Sequence, residues 1–107
     1  MYSPHVLTQL VELTANVTNA FTVALFVADL DQKKLFLKES LSLSLNFQKN
    51  TELNFGQGLI GQVALTGKPL LEEYFRDNSK DLGIYSQKED LKGFIAVPIF
   101  YDKLVGV

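Results

Sequence analysis

The sequence predicts an α+β domain: a mainly antiparallel β-sheet with helices on one face and a cavity on the other. Three observations carry this. Residues 21–28 and 94–101 are apolar on both alternating sets of side chains, as central strands covered on both faces are. A polar turn at residues 29–34 links the first of these to a long alternating segment, the pattern of an antiparallel hairpin. Within residues 21–28 the two faces differ in bulk. Phe21, Val23, Leu25 and Val27 outweigh Thr22, Ala24, Phe26 and Ala28, as expected where helices pack one face and a cavity lies on the other.

The first element is a helix, with Ser3 as N-cap and Pro4 at its first position. Val6, Leu10, Leu13 and Val17 recur on it as a narrow apolar seam, which fits either the domain's own core or a partner helix. Thr8, Gln9, Thr14 and Asn16 lie opposite, polar but uncharged. Glu12 is the only formally charged side chain before Asp29, which points to contacts on more than one side. A strand over residues 21–29 follows. The next strand covers residues 34–45, with Leu41, Leu43 and Leu45 inward and Ser40, Ser42 and Ser44 outward. Residues 48–52 read as a polar loop.

Residues 55–71 hold four of the seven glycines. Gly56 and Gly58 permit positive φ at a helix start, and Leu59, Ile60, Val63 and Ala64 give that helix an apolar side. Gly67 fits a left-handed C-cap, Pro69 stops the helix, and a short strand spans residues 69–72. The spacing Gly56-x-Gly58-x-x-Gly61 matches the dinucleotide-binding glycine pattern. That pattern needs a buried parallel strand before it, and Glu52-Leu53-Asn54-Phe55 is short and half polar. Further on, residues 86–89 fit a capping box for one helical turn reaching Leu91. Residues 93–101 read as a single strand with a bulge at Pro98, and residues 103–107 as its hairpin partner.

A chain of 107 residues makes one domain with a modest core. A net charge of −2 leaves no footprint for nucleic acid or an anionic membrane. The absence of cysteine excludes disulfides, thiolate metal sites and a cysteine nucleophile within these residues. His5, the one histidine, cannot assemble a metal cluster alone. No segment is long and apolar enough to span a bilayer, and the N-terminus lacks a signal core, so a cytoplasmic location is expected. No cofactor is expected.

Two segments resemble the GAF domain family. Gly56-Gln-Gly58-Leu59-Ile60-Gly61-Gln62-Val63-Ala64-Leu65-Thr66-Gly67-Lys68-Pro69 is similar to the family's glycine-rich helix segment. Phe94-Ile-Ala-Val-Pro98-Ile, a polar turn and Leu104-Val-Gly-Val107 are similar to its Val-Pro strand and the strand after it. The resemblance implies that residues 1–107 are a single GAF-like domain, without the usual completion of the final strand and the C-terminal helix. It also implies a pocket between the sheet and a lid of residues 72–90. Ala24, Phe26, Phe94 and Ala96 would floor it, Ile60 would stand at its rim and Glu72 at the start of the lid. Tyr74 and Tyr85 would stack on or hydrogen-bond a planar ligand, and Arg76 would meet an acidic group. The plainer reading makes the tyrosines packing residues and Arg76 a solvated ion pair. Many family members carry an aspartate where this sequence has Tyr74.

The resemblance further implies a regulatory sensor of an unidentified small molecule, signalling through its terminal helices within a larger signal-transduction protein. Catalysis is not expected. Glu72 and Glu73 point to opposite faces, and the cysteines used by methionine sulfoxide-reducing members are missing. The alternative is a ligand-free structural domain, its pocket collapsed around Phe26, Phe94 and Tyr85. Under either reading a homodimer through Val6, Leu10, Leu13 and Val17 is expected.

Overall fold

The computed structural model describes residues 4–72, 82–87, 91 and 93–107. The order of elements is α1 (Pro4–Thr18), β1 (Thr22–Asp29), β2 (Lys34–Ser42), β3 (Glu52–Asn54), α2 (Gly58–Thr66), β4 (Leu70–Glu72), β5 (Phe94–Ala96), β6 (Ile99–Tyr101) and β7 (Lys103–Gly106). Five strands form one antiparallel sheet in the order β3-β2-β1-β7-β6, and β4 with β5 makes a separate two-stranded ribbon. The α+β architecture expected from the sequence is therefore present. Among the described residues no helix is long and apolar enough to cross a membrane.

The β1–β2 hairpin is closed by an Asx-type turn, in which Asp29 Oδ1 accepts the Gln32 N–H at 3.1 Å. The register slips by one residue between Leu25 and Phe26: Phe26 faces Leu37, but Leu25 faces Glu39. Lys38 is the extra residue of this bulge. A slip of one residue moves every later side chain to the other face. Leu35 and Leu37 thus point to the core, and beyond the bulge Ser40 and Ser42 take over that face opposite Ala24 and Thr22. The inward placement expected for Leu41, Leu43 and Leu45 is overturned: they are exposed, and the strand ends at Ser42.

Two further strands differ from expectation. Leu53 is fully buried, and its flanks pair with β2, so the segment before the glycines is an edge strand, β3. Its three residues are too few to show alternation in the sequence. Residues 93–101 do not form one strand. The chain leaves the ladder at Val97 and Pro98, so β5 pairs with β4 and β6 pairs with β7. Proline has no N–H to give a central ladder, and the strand breaks there instead of bulging.

The main core gathers Phe26, Leu35, Leu53, Ile60, Val63, Ala64, Leu82, Ile84, Tyr85, Ala96, Leu104 and Val107. Phe26 comes from the β1 set with Ala24 and Ala28, both of which pack against the same cluster. The helix α1 lies over β1 and β2. It buries Leu7, Val11 and Ala15, which stand outside that cluster, so α1 covers the opposite face of the sheet. The seam Val6, Leu10, Leu13 and Val17 is 47–76% exposed, so the core-docking reading of those residues is overturned. The capping residue Ser3 and most of the turn expected at residues 86–91 lie outside the described residues. α1 ends at Asn19, in the left-handed conformation with φ 55°.

Candidate functional site

The glycine segment sets one wall of the site. Gly56 and Gly58 have φ of 86° and 63°, and they fold the chain from β3 straight into α2. The Gly56 N–H reaches the Gly61 carbonyl at 2.8 Å, and the Gln57 N–H reaches that of Asn54 at 3.0 Å. Gly61 packs so closely that a Cβ there would stand 2.5 Å from the Asn54 carbonyl oxygen. This knot holds α2 against the sheet and turns Ile60, Val63 and Ala64 inward. Gly67 caps the helix at φ 68°, its N–H on the Val63 carbonyl, as expected.

Between this wall, the N-terminal half of β1 and the β4–β5 ribbon lies a cavity of about 620 Å³, lined by Val23 and Leu25 as well as by Ala24 and Phe26. Of the nine residues the sequence reading placed at a ligand site, Ala24, Phe26, Ile60, Glu72, Tyr85, Phe94 and Ala96 line it. Tyr74 and Arg76 lie outside the described residues, as does most of the expected lid. Leu71, Leu82, Ile84 and Leu91 add apolar wall, and Thr14 and Thr18 of α1 reach its margin. Glu72 is the one formally charged side chain among the described lining residues. Such a cavity favours an uncharged surface and supplies orientation through few polar groups.

Those polar groups are joined. The Tyr85 hydroxyl donates to Thr22 Oγ1 at 2.6 Å, and Thr22 Oγ1 lies 2.7 Å from Ser42 Oγ. Backbone bonds from Gln48 to Ile84 and from Ser86 to Asn46 fix the segment that carries Tyr85. Its ring meets Phe47 edge to face at a centroid distance of 6.1 Å. Tyr85 is 5% exposed, so its ring is a packing residue and its hydroxyl belongs to a polar chain. Sequence reasoning missed Thr22 and Ser42 as members of this chain. Thr22 shares its face with Ala24 and Phe26 by plain alternation, whereas the signal of Ser42 is hidden by the bulge, which alone brings it to that face.

A sequence profile described as "GAF domain" matches residues 4–107. No curated protein matches the chain. Solved structures that resemble it include the GAF domain of an Acinetobacter phosphoenolpyruvate-protein phosphotransferase, with a TM-score of 0.79 at 20% identity. That match covers 99% of this chain and 64% of the other. A free methionine-R-sulfoxide reductase from Neisseria meningitidis, solved with its substrate, matches with a TM-score of 0.75 at 20% identity over 96% of this chain and 58% of that one. The A. aeolicus nlh2 GAF domain in an inactive state matches with a TM-score of 0.74 at 18% identity, over 99% and 66%. At these identities the likeness is one of fold.

Proposed function

The chain belongs to the GAF domain family, typically sensory or regulatory domains of signalling proteins, and on that premise we propose that it is a small-molecule sensor domain. The ligand occupies the cavity above Ala24 and Phe26, and occupancy is relayed through the terminal helices to the rest of a larger cytoplasmic protein. One observation carries this: seven residues chosen for a ligand site from the sequence line a single apolar cavity large enough for a ring system. The reading is regulatory and not catalytic. The Neisseria meningitidis reductase shares 20% identity, and this sequence has no cysteine to perform thiol chemistry.

The relay uses a homodimer formed by the exposed seam of α1. An apolar stripe of this length on a helix that already buries another stripe supports a second, external contact. A domain whose seam pairs but whose cavity stays empty would be the ligand-free alternative. The open cavity favours the sensor over that reading.

Native mass spectrometry of protein purified from cells tests both parts together. The expected spectrum is a dimer that retains a small molecule, lost on replacing Ala24 by Trp. A ligand-free dimer whose melting temperature no metabolite shifts would support the structural alternative. A monomer at every concentration, equal in sedimentation to the Leu10→Glu plus Leu13→Glu variant, would remove the dimer from the proposal.

A further inference from the structure

The outer side of β2 is paired along only part of the strand. Lys34, Leu35 and Phe36 face β3, and the Leu37 N–H reaches the Thr51 carbonyl at 3.1 Å. The bulge at Lys38 follows. Beyond it β2 runs beside β1, with Leu25 opposite Glu39 and Thr22 opposite Ser42. In an antiparallel ladder, successive residues turn their N–H and C=O to alternate sides. The Leu43 N–H bonds the Phe21 carbonyl at 3.0 Å, which puts Glu39, Leu41 and Leu43 in the set facing β1. Ser40 and Ser42 therefore direct their backbone groups to the outer edge. There, among the described residues, no strand answers them.

Leu41 pairs with Val23 and shares the α1 face with it, yet Leu41 is 43% exposed and Leu43 76%. The free edge thus carries an apolar row that α1 leaves uncovered. Sheet edges are commonly defended by charge, proline or a bulge. Here Lys38, Glu39 and the bulge defend one end of the edge. Ser40-Leu41-Ser42-Leu43-Ser44-Leu45 holds no charge and no proline. The free run is bounded by the end of β3 on one side. On the other, the Ser44 N–H bonds Ser42 Oγ and the chain turns. What lies between, Glu39 to Leu43, is centred on Leu41. A copy related by a two-fold axis at Leu41 places Ser40 opposite Ser42 and Leu41 opposite its own copy. Glu39 then faces Leu43, so the two carboxylates stand at opposite ends of the ladder and no like charges meet.

We propose that the outer edge of β2 pairs with the same edge of a second copy of this chain. The two sheets join across a two-fold axis at Leu41 into one antiparallel sheet. Ser40 of each copy exchanges both backbone bonds with Ser42 of the other. Leu41 meets its own copy in the close, non-hydrogen-bonded pair, about 4.5 Å between Cα atoms. Main-chain bonds give the affinity, as in strand addition to other sheet edges. The contact is small, below the ~1,200 Å² of standard interfaces, so it forms only at concentrations on the order of 100 μM and above. It lies apart from the cavity and from the seam of α1, and it does not depend on the use of either.

The test is sedimentation equilibrium of the 107-residue chain carrying Leu10→Glu and Leu13→Glu, two exposed positions whose change removes the seam of α1 as a contact. A reversible dimer is expected in that background at high concentration. Leu41→Lys and Leu41→Glu should each abolish it, because like charges then meet across the axis. An equimolar mixture of the two should restore it, at least about tenfold tighter than either alone. Amide hydrogen exchange of the unsubstituted chain gives a second reading. The Ser40 and Ser42 amides should slow about tenfold between dilute and concentrated protein, while Phe26 stays unchanged. A monomer at every concentration, or a mixture no tighter than its components, overturns the proposal. So does protection of Ser40 and Ser42 that ignores concentration, since the edge is then covered within one chain.

Discussion

α2 spans nine residues and buries four of them; α1 spans fifteen and, among its described side chains, buries three. The shorter helix is held by backbone devices. Two positive-φ glycines precede or open it, a third caps it, and Gly61 lets it touch the β3 backbone. Its apolar side joins the main core directly. Among the described residues the longer helix has only Asn19 as such a device, and it carries two apolar stripes. Leu7, Val11 and Ala15 dock on the sheet; Val6, Leu10, Leu13 and Val17 face out. The difference teaches that periodicity alone does not tell which stripe a helix buries. Both stripes on α1 have helical spacing, and the sheet takes the one with the smaller side chains. Where backbone geometry constrains the chain, as at α2, the sequence leaves one solution.

The largest effect should come from Gly61→Val. The obstacle to a side chain there is backbone, the Asn54 carbonyl at 2.5 Å and the Gly56 nitrogen at 3.1 Å, so nothing nearby can yield by changing rotamer. The expected loss is about 3 kcal/mol or more, read from the urea midpoint. Gly58→Val should cost less, on the order of 1–3 kcal/mol, because its φ of 63° strains a β-branched residue. An unchanged melting temperature for either would mean that the α2 knot is looser than the geometry states, and the contrast with α1 would fail.

This contrast also explains what the sequence made legible. The turn, helix and cap of residues 56–67 follow from residue types with few allowed conformations, and all of them appear. The floor of the cavity was legible for another reason: the extra residue of the bulge lies on β2, so β1 keeps its own alternation through Ala24 and Phe26, and Phe94 and Ala96 alternate before the break at Val97 and Pro98. The inward side of residues 40–45 was not legible, because one unpaired residue at Lys38 inverts it, and nothing in Phe36-Leu37-Lys38-Glu39 marks a bulge. β3 was missed because three residues show no period. The break at Pro98 is signalled by the proline itself, which fits a bulge as well as a break. The seam on α1 was found, but the stripe that docks was not, since alanine at position 15 contributes little to an apolar pattern.

The two stripes of α1 can be separated by truncation. Val11 is 4% exposed, and Val11→Ala removes two buried methyl groups, an expected loss of about 1.5 kcal/mol. Leu13 is 60% exposed, and Leu13→Ala should change the stability of the isolated subunit by less than about 0.5 kcal/mol. The pair should be measured at low protein concentration. If Leu13→Ala costs as much there as Val11→Ala, the outward stripe is packed within one chain and the two helices are alike after all.

An effect smaller than that of Val11→Ala lies in the hydroxyl chain, on the core side that α2 helps to build. Tyr85→Phe keeps the ring that packs in the core and meets Phe47, and removes only the hydroxyl that donates to Thr22. Thr22 Oγ1 would still have Ser42 Oγ at 2.7 Å, so no buried polar atom at Thr22 is left alone. A net hydrogen bond of this kind is worth about 1 kcal/mol. The expected shift is of that size in urea unfolding, with the slope of the transition unchanged. A loss of more than about 2 kcal/mol would mean that the Tyr85–Thr22–Ser42 chain holds the cavity end of β1 in place. The core around α2 would then depend on a polar anchor as well as on glycine geometry and apolar packing.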